Sequence, residues 1–355
     1  MKQLIIGENE AGQRFDKYLA KLLKEAPKSF FYKMLRKKNI TLNGKKATGN
    51  EKLSAGDEVK LFLSDETFEK FAGNREVARA VCRLDVIYED ENILLINKPA
   101  GMLSQPSESR EASLVEYVIG YLLQKGEVTE ESLKTFKPAV CNRLDRNTSG
   151  IVAAGKSLAG LQELSALFHD RTIHKDYLCL TEGVIKNEKY IKGYLHKDEK
   201  CNKVTIYHSD RGEGIPEEAL PVETRYLPWG DNGRMTLLSV RLITGRTHQI
   251  RAHLASISHP IAGDRKYGSE PFNRELYRMY ELKHQLLHAY RLEFPDMEGV
   301  LAGLSRKVFT APVPENFFYM IKKEHLEESY YENLERAVGI CKDDYHCGNR
   351  SDTGE

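Results

Sequence analysis

The sequence predicts an α+β protein: a small unit of two helices and a hairpin, then a larger one with a mixed, mainly antiparallel sheet flanked by helices and loops. Three observations carry that expectation. Near the N-terminus, two short apolar patterns at helical spacing lead into an Asn-Gly turn between strand-like segments. Further on, strand-like runs outnumber helical ones and do not alternate with them as a doubly wound sheet requires. At 355 residues, the chain is also longer than one compact domain usually is.

Each element follows from local pattern. Phe15, Leu19, Leu22 and Leu23 recur at helical spacing, with Asp16 in the first turn. A second helix is expected over 29–37, its apolar side made by Phe30, Phe31, Met34 and Leu35. Residues 40–45 read as strand, turn and strand, because Asn43-Gly44 suits the left-handed backbone of a tight hairpin. A further turn at Gly56-Asp57 enters a strand at Val59. We place the first unit at 1–64, a charged linker at 65–84, the larger unit at 85–324 and an acidic tail at 325–355. In the larger unit, 93–96 is a buried strand ending at Asn97-Lys98-Pro99-Ala100-Gly101. Amphipathic helices are expected over 114–123 and 158–168, and strands over 177–180, 223–227, 235–243 and 288–294.

Composition narrows the class. Hydrophobic content of 41% with 30% charged residues describes a globular protein with a sizeable core. No window approaches the apolar length of a membrane span, and the N-terminus lacks a signal-like apolar region, so a cytoplasmic location is expected. The six cysteines are scattered and form no C-x-x-C pair. Cys341, His346 and Cys347 lie close together but lack the four ligands of a zinc site, so no metal is expected. The net charge of +1 hides an uneven distribution. Residues 13–64 hold thirteen Lys/Arg against five acids, whereas 325–355 hold eight acids against three Lys/Arg. A basic block on a small folded unit is a phosphate-binding signature, though a merely solvated helix face produces the same count.

Three motifs concentrate chemistry. Asn142-Arg143-Leu144-Asp145-Arg146 sets one carboxylate between two arginines, just before Thr148-Ser149-Gly150 and the apolar run 151–154. Neighbouring arginines favour the ionised form, and the edge of a sheet aims a side chain well. Taken alone, the same pattern also fits a loop Asp capping a turn. Residues 244–254 place Arg246, His248, Gln249 and Arg251 at a strand-to-helix junction, where backbone N–H groups already favour an anion. His248 and His253 are five apart, so they do not form the helical pair of a zinc protease. Lys175-Asp176-Tyr177 opens a strand, and Tyr177 by itself reads equally as a core aromatic.

Together these motifs resemble the RluA-type RNA pseudouridine synthases. The resemblance rests on Asn97 to Gly101, Arg143-Leu144-Asp145, Thr148-Ser149-Gly150, Lys175 with Tyr177, 244–251, and His259 to Asp264 with Tyr267-Gly268. The first unit resembles an S-four-like RNA-binding domain through residues 14–19, 36–40, 42–45 and Gly56-Asp57. The resemblance implies an isomerase that converts chosen uridines to pseudouridine. It makes Asp145 the catalytic carboxylate, Arg251 its ion-pair partner, and Tyr177 the aromatic against the target uracil. Arg143 would fill the space left by the flipped nucleotide, with Arg246, His248 and Gln249 as further substrate-binding residues. RNA contacts are expected from Arg14, Lys17, Lys33, Arg36, Lys37, Lys38 and Lys45.

The family usually has His where Asn142 and Gln105 stand here, which bears on substrate preference more than on activity. The reaction gains and loses no atoms, so no cofactor is expected. The expected partner is structured RNA, large-subunit ribosomal RNA ahead of transfer RNA, bound by a monomer. Two other classes remain for comparison: an RNA-binding protein without activity, and a hydrolase using Asp145 as nucleophile. Retention of Asp145, Tyr177 and Arg251 argues against the first, and the lack of a second acid/base carboxylate in the motif argues against the other.

Overall fold

The structure, a computed structural model, describes residues 1–72, 83–107, 111–199, 201–208 and 214–338. In the N-terminal unit, β1 (Lys2–Ile5) is followed by α1 (Phe15–Leu22), α2 (Lys28–Arg36), β2 (Ile40–Leu42), β3 (Lys45–Lys46) and β4 (Glu58–Leu61). The sheet order is β1-β4-β2-β3. Asn43 and Gly44 both take positive φ, 51° and 72°, as the tight turn requires. Phe15, Leu19, Leu22, Phe31 and Leu35 are buried against Val59 and Leu61.

The unit does not stop at residue 64. Residues 65–72, expected to open the linker, form helix α3 (Asp65–Ala72). Phe68 is buried in the N-terminal core, and the Phe71 ring lies 4.6 Å from that of Phe30. Two aromatics three apart make an apolar stripe too narrow to stand out among Asp65, Glu66, Glu69 and Lys70. The rest of the expected linker, 73–82, lies outside the described residues.

The larger unit begins with β5 (Val86–Glu89), β6 (Ile93–Lys98), α4 (Leu114–Gln124), β7 (Ala139–Val140), β8 (Ser149–Gly155) and α5 (Leu158–Asp170). It continues with β9 (His174–Glu182), β10 (Lys189–Asp198), β11 (Lys203–Tyr207), β12 (Leu220–Asp231) and β13 (Met235–Leu242). Then come α6 (Gln249–Ser256), α7 (Glu270–Tyr280), β14 (Leu287–Glu293), β15 (Val308–Thr310), α8 (Glu315–Lys323) and α9 (Glu327–Val338). One eleven-stranded sheet runs β11-β10-β12-β13-β9-β14-β8-β6-β5, with β15 beside β14 and β7 beside β8. Among the described residues, every pairing in this sheet is antiparallel except β14 with β8. The mixed, mainly antiparallel sheet is therefore present, and its strands β10 and β11 had not been read from the sequence.

Part of the expected acidic tail is also core. Helix α9 buries Tyr330, Tyr331 and Leu334 with Trp229, Tyr290 and Phe317, so its acids are only the outer face of an amphipathic helix. Residues 339–355, including Cys341, His346 and Cys347, lie outside the described residues.

The parallel pairing of β14 and β8 positions the site. His288 and Ala289 face Ser149 and Gly150, while Ala289 also faces Tyr177 across β9. Gly150 has φ +111°, and a Cβ there would lie 2.3 Å from the Ala289 carbonyl oxygen. Only glycine fits that approach. Gly150→Ala is expected to cost roughly 2–4 kcal/mol, as backbone strain and overpacking combine. Urea denaturation checks this, and a variant as stable as the parent would rule out so close a pairing.

Candidate active site

The Asp145 loop is tied down on three sides before it enters β8. Asn142 accepts the Ala153 N–H at 2.8 Å and donates to the Ile151 carbonyl at 3.2 Å. The buried Ser104 hydroxyl donates to the Leu144 carbonyl at 2.7 Å and accepts the Leu144 N–H at 3.1 Å. Lys98, wholly buried at the end of β6, donates to the carbonyls of Pro99, Met102 and Arg146. Burial pushes its ammonium down to about 7, against the opposing pull of the Asp145 charge. Just beyond the loop, Ser149 and His288 meet at 2.9 Å, and His288 Nε2 lies 3.1 Å from the Ala311 carbonyl. That carbonyl needs a donor, so the ring proton sits on Nε2 and Ser149 donates to Nδ1. Full burial pushes His288 down to about 4, keeping the ring neutral.

Helix α6 supplies the counter-charge. Its entry turn is held by Gln249, which accepts the Thr244 hydroxyl and the Arg246 N–H. The same amide donates to the Glu223 carbonyl and the Thr224 hydroxyl. Gln249, expected among the substrate-binding residues, is buried with its amide bonded within the turn, and it also lines the cleft.

Arg251, one turn in, donates from Nη1 to Asp145 Oδ2 at 2.8 Å. Its other edge grips Asp264, with Nε at 2.7 Å and Nη2 at 3.0 Å from the two carboxylate oxygens. Burial works against the charge of Arg251, yet Asp264 first and Asp145 second raise it above its ordinary value. Burial likewise works to raise Asp264, but Arg251 and the N–H groups of Lys266 and Tyr267 outweigh it and hold the carboxyl low. Asp264 is 0% exposed, whereas 27% of the Asp145 side chain faces the cleft.

His248 completes this end of the cleft in a left-handed conformation, φ +52°. Its Nε2 lies 3.8 Å from Asp145 and its Nδ1 2.9 Å from the Tyr267 hydroxyl. Burial, more than anything else, lowers its pKa, so the imidazole is neutral at pH 7. Tyr177 closes the floor, 5% exposed. Burial, then the charges of Asp145 and Asp176, raise its hydroxyl pKa and keep the phenol protonated. Asp145, Arg251, Tyr177, Arg143, Arg246 and Lys175 all line one cleft of about 1120 Å³. Arg143 and Arg246 are exposed there.

Of the expected RNA contacts, Lys17, Lys33, Arg36, Lys37, Lys38 and Lys45 are exposed on the N-terminal unit. Arg14 is exposed too, but its guanidinium is committed to Asp16 and Asn50. Among the described residues, no group of three or more His, Cys, Asp or Glu could hold a metal ion, and no helix is long and apolar enough to cross a membrane.

Comparison with known proteins settles the family. Residues 92–256 match the RNA pseudouridylate synthase family, and residues 13–59 match the S4 domain. The chain is 32% identical over 302 residues to ribosomal large subunit pseudouridine synthase C of Pasteurella multocida, covering 83% of this chain and 86% of that protein. It belongs to the RNA pseudouridine synthase family. An uncharacterized RNA pseudouridine synthase of Mycoplasma genitalium is also 32% identical, over 90% of this chain and 98% of its own length. The solved human RNA pseudouridylate synthase domain containing 4 shares the fold, with a TM-score of 0.54 at 20% identity over 68% of this chain and 92% of that one. RNA pseudouridine synthases are isomerases, and this chain is one.

In this pseudouridine synthase, sequence reading had not given Asp264, Ser104 and Lys98 roles of their own. Asp264 stood in a recognised motif, but nothing local showed that Arg251 would face it. Asp264→Asn is expected to cost about 3–5 kcal/mol near neutral pH, because it strands a buried guanidinium. The folded Asp264 carboxyl lies below its ordinary 3.8, so its stabilising effect is present above that pH and fades as pH falls through and below it. Denaturation series at several pH values should show the gap between variant and parent closing toward acid. A gap independent of pH would mean that the lost stability did not come from the Asp264 charge.

Proposed function

We propose that this pseudouridine synthase isomerises specific uridines in structured large-subunit ribosomal RNA, with Asp145 as the catalytic carboxylate. The observation that carries the reading is the 2.8 Å pair of Asp145 and Arg251 at the floor of a cleft large enough for a flipped nucleotide. The reaction breaks the bond between the ribose C1′ and uracil N1, turns the base, and joins C1′ to C5; the proton leaves C5 and one is taken up at N1, so the product is an isomer of the substrate. An ionised carboxylate beside the sugar and base suits either nucleophilic or proton-abstracting assistance. Arg251 keeps Asp145 oriented and paired while leaving one oxygen free for the substrate.

The surroundings support the remaining roles. The base must leave its stack to reach Asp145, and the flat Tyr177 ring offers the surface against which it rests. Arg143, exposed in the cleft, suits insertion into the gap left behind, and Arg246 and His248 line the same cleft. Apolar Leu144, Ile250 and Leu287 back the floor around Tyr177 and help retain the detached uracil. Ribosomal RNA is favoured because several similar proteins bear ribosomal large-subunit names, and because the basic N-terminal unit matches a domain suited to structured RNA.

Mapping pseudouridines in total RNA from cells with and without the gene tests the substrate: loss of sites in transfer RNA alone would overturn it. Asp145→Asn is expected to abolish turnover while RNA affinity stays within a few fold, since affinity comes from many separate cations. Measurable turnover by the purified variant would remove Asp145 from its role. Arg251→Met should also be nearly inactive at pH 7, because the pair is broken although no reacting group is lost. Deleting residues 1–72, which takes α3 with the unit it packs on, should weaken RNA binding and flatten its salt dependence. An unchanged slope would show that the basic block does not meet phosphate.

A further inference from the structure

Lys175 is placed where the reaction just described does not need it. It lies two residues before Tyr177 on β9, so both side chains project from the same face, about 7 Å apart along the strand. Its ammonium lines the cleft but, among the described residues, has no hydrogen-bond or ion-pair partner; it stands 5.6 Å from the centre of the Phe168 ring. The adjacent acid cannot serve. Asp176 points to the other face, where Arg241 takes it at 2.7 and 2.8 Å and Arg291 at 2.9 Å. The ammonium lies close to Gly245, where a Cβ would stand 3.9 Å from Nζ, an ordinary contact.

A second cation stands beside it. Arg171 caps α5 in a left-handed conformation, φ +62°, and its exposed side chain also lines the cleft without a partner among the described residues. Three other cations of the same cleft are engaged: Arg146 with Glu111 and the Gly101 carbonyl, Lys197 with Glu199, Lys266 with the Asn202 carbonyl; Arg143 and Arg246, which also line it, are already assigned to the flipped nucleotide and its surroundings. Burial, then the charge of Arg171, lowers the pKa of Lys175. Holding a half-buried ammonium unpaired beside a guanidinium is costly unless an anion completes the set.

We infer that Lys175 and Arg171 form a binding site for a backbone phosphate of the RNA next to the flipped uridine, an inference that rests on the pseudouridine synthase reading of the cleft. A nucleotide whose base lies on Tyr177 carries its ribose-phosphate along the same strand face. The phosphate supplies the negative charge that the protein withholds from Lys175. The site fixes where the nucleotide enters, whereas Arg251 governs the reacting carboxylate.

The test uses the full chain and unmodified large-subunit ribosomal RNA transcribed in vitro, with affinity measured across a KCl series. Lys175→Met is expected to weaken binding about tenfold, the usual effect of losing one charged contact. It should also reduce the slope of log affinity against log salt by about 0.7–0.9, one phosphate's worth. Because an unpaired, half-buried charge is removed, the free variant should be at least as stable as the parent in urea. Arg171→Gly keeps the left-handed backbone and should reduce the slope likewise, while Lys175→Arg should retain most of it. An unchanged slope in both Lys175→Met and Arg171→Gly overturns the site. So does a loss of stability in Lys175→Met, which would make the lysine a structural partner. Pseudouridine formation by the parent is scored separately: its absence, with the slope change intact, would sink the assigned substrate and leave the phosphate site standing.

Discussion

Arg251 is shared between two carboxylates, and much of the site depends on that sharing. The edge of its guanidinium formed by Nε and Nη2 is locked onto the fully buried Asp264, and the remaining Nη1 reaches Asp145. A fork held at one edge has little freedom at the other, so the Asp145 carboxylate meets a fixed donor. One positive charge between two negative ones leaves the trio with a net negative charge, and the solvent-facing share of it belongs to Asp145. Two backbone N–H groups of the 264–267 turn also bind Asp264, so the arrangement is anchored in main chain.

The sheet makes that sharing possible by bringing remote segments to one place. β8 carries the Asp145 loop and β9 carries Tyr177, and β14 lies between them, parallel to one and antiparallel to the other. The close approach at Gly150 lets β14 sit tightly against β8. On the opposite face, Asp176 draws Arg241 of β13 and Arg291 of β14 onto β9, tying three neighbouring strands with charged hydrogen bonds. The same strand therefore uses Asp176 for its frame and Lys175 and Tyr177 for its cleft, as alternation in a strand dictates.

Charge misled the sequence reading where it surrounded a few aromatic residues. The stretch after residue 64 and the start of the acidic tail both read as solvated because acids and lysines dominate them. Yet Phe68 and Phe71 anchor α3, and Tyr330, Tyr331 and Leu334 anchor α9. One large ring buries as much apolar surface as several small side chains, so two or three suffice to dock a helix. Gln249 shows the opposite limit: a polar side chain among arginines reads as a ligand group, and the bonds that hold its amide to the turn are not visible in the sequence.

The sequence by itself determined the two-unit α+β organisation, most helices and strands, and the three motifs that hold Asp145, Tyr177 and Arg251. Those features are local: spacing sets which face a residue occupies, and turn chemistry sets where a strand ends. Tertiary structure alone decided that Arg251 is bridged to Asp264, that Ser104 and Lys98 pin the Asp145 loop, and that Lys175 has no counter-charge among the described residues. Each of these depends on which distant segments the sheet brings within about 3 Å of one another, the range of a hydrogen bond. No local pattern encodes such a meeting, because it follows from the packing of the whole chain.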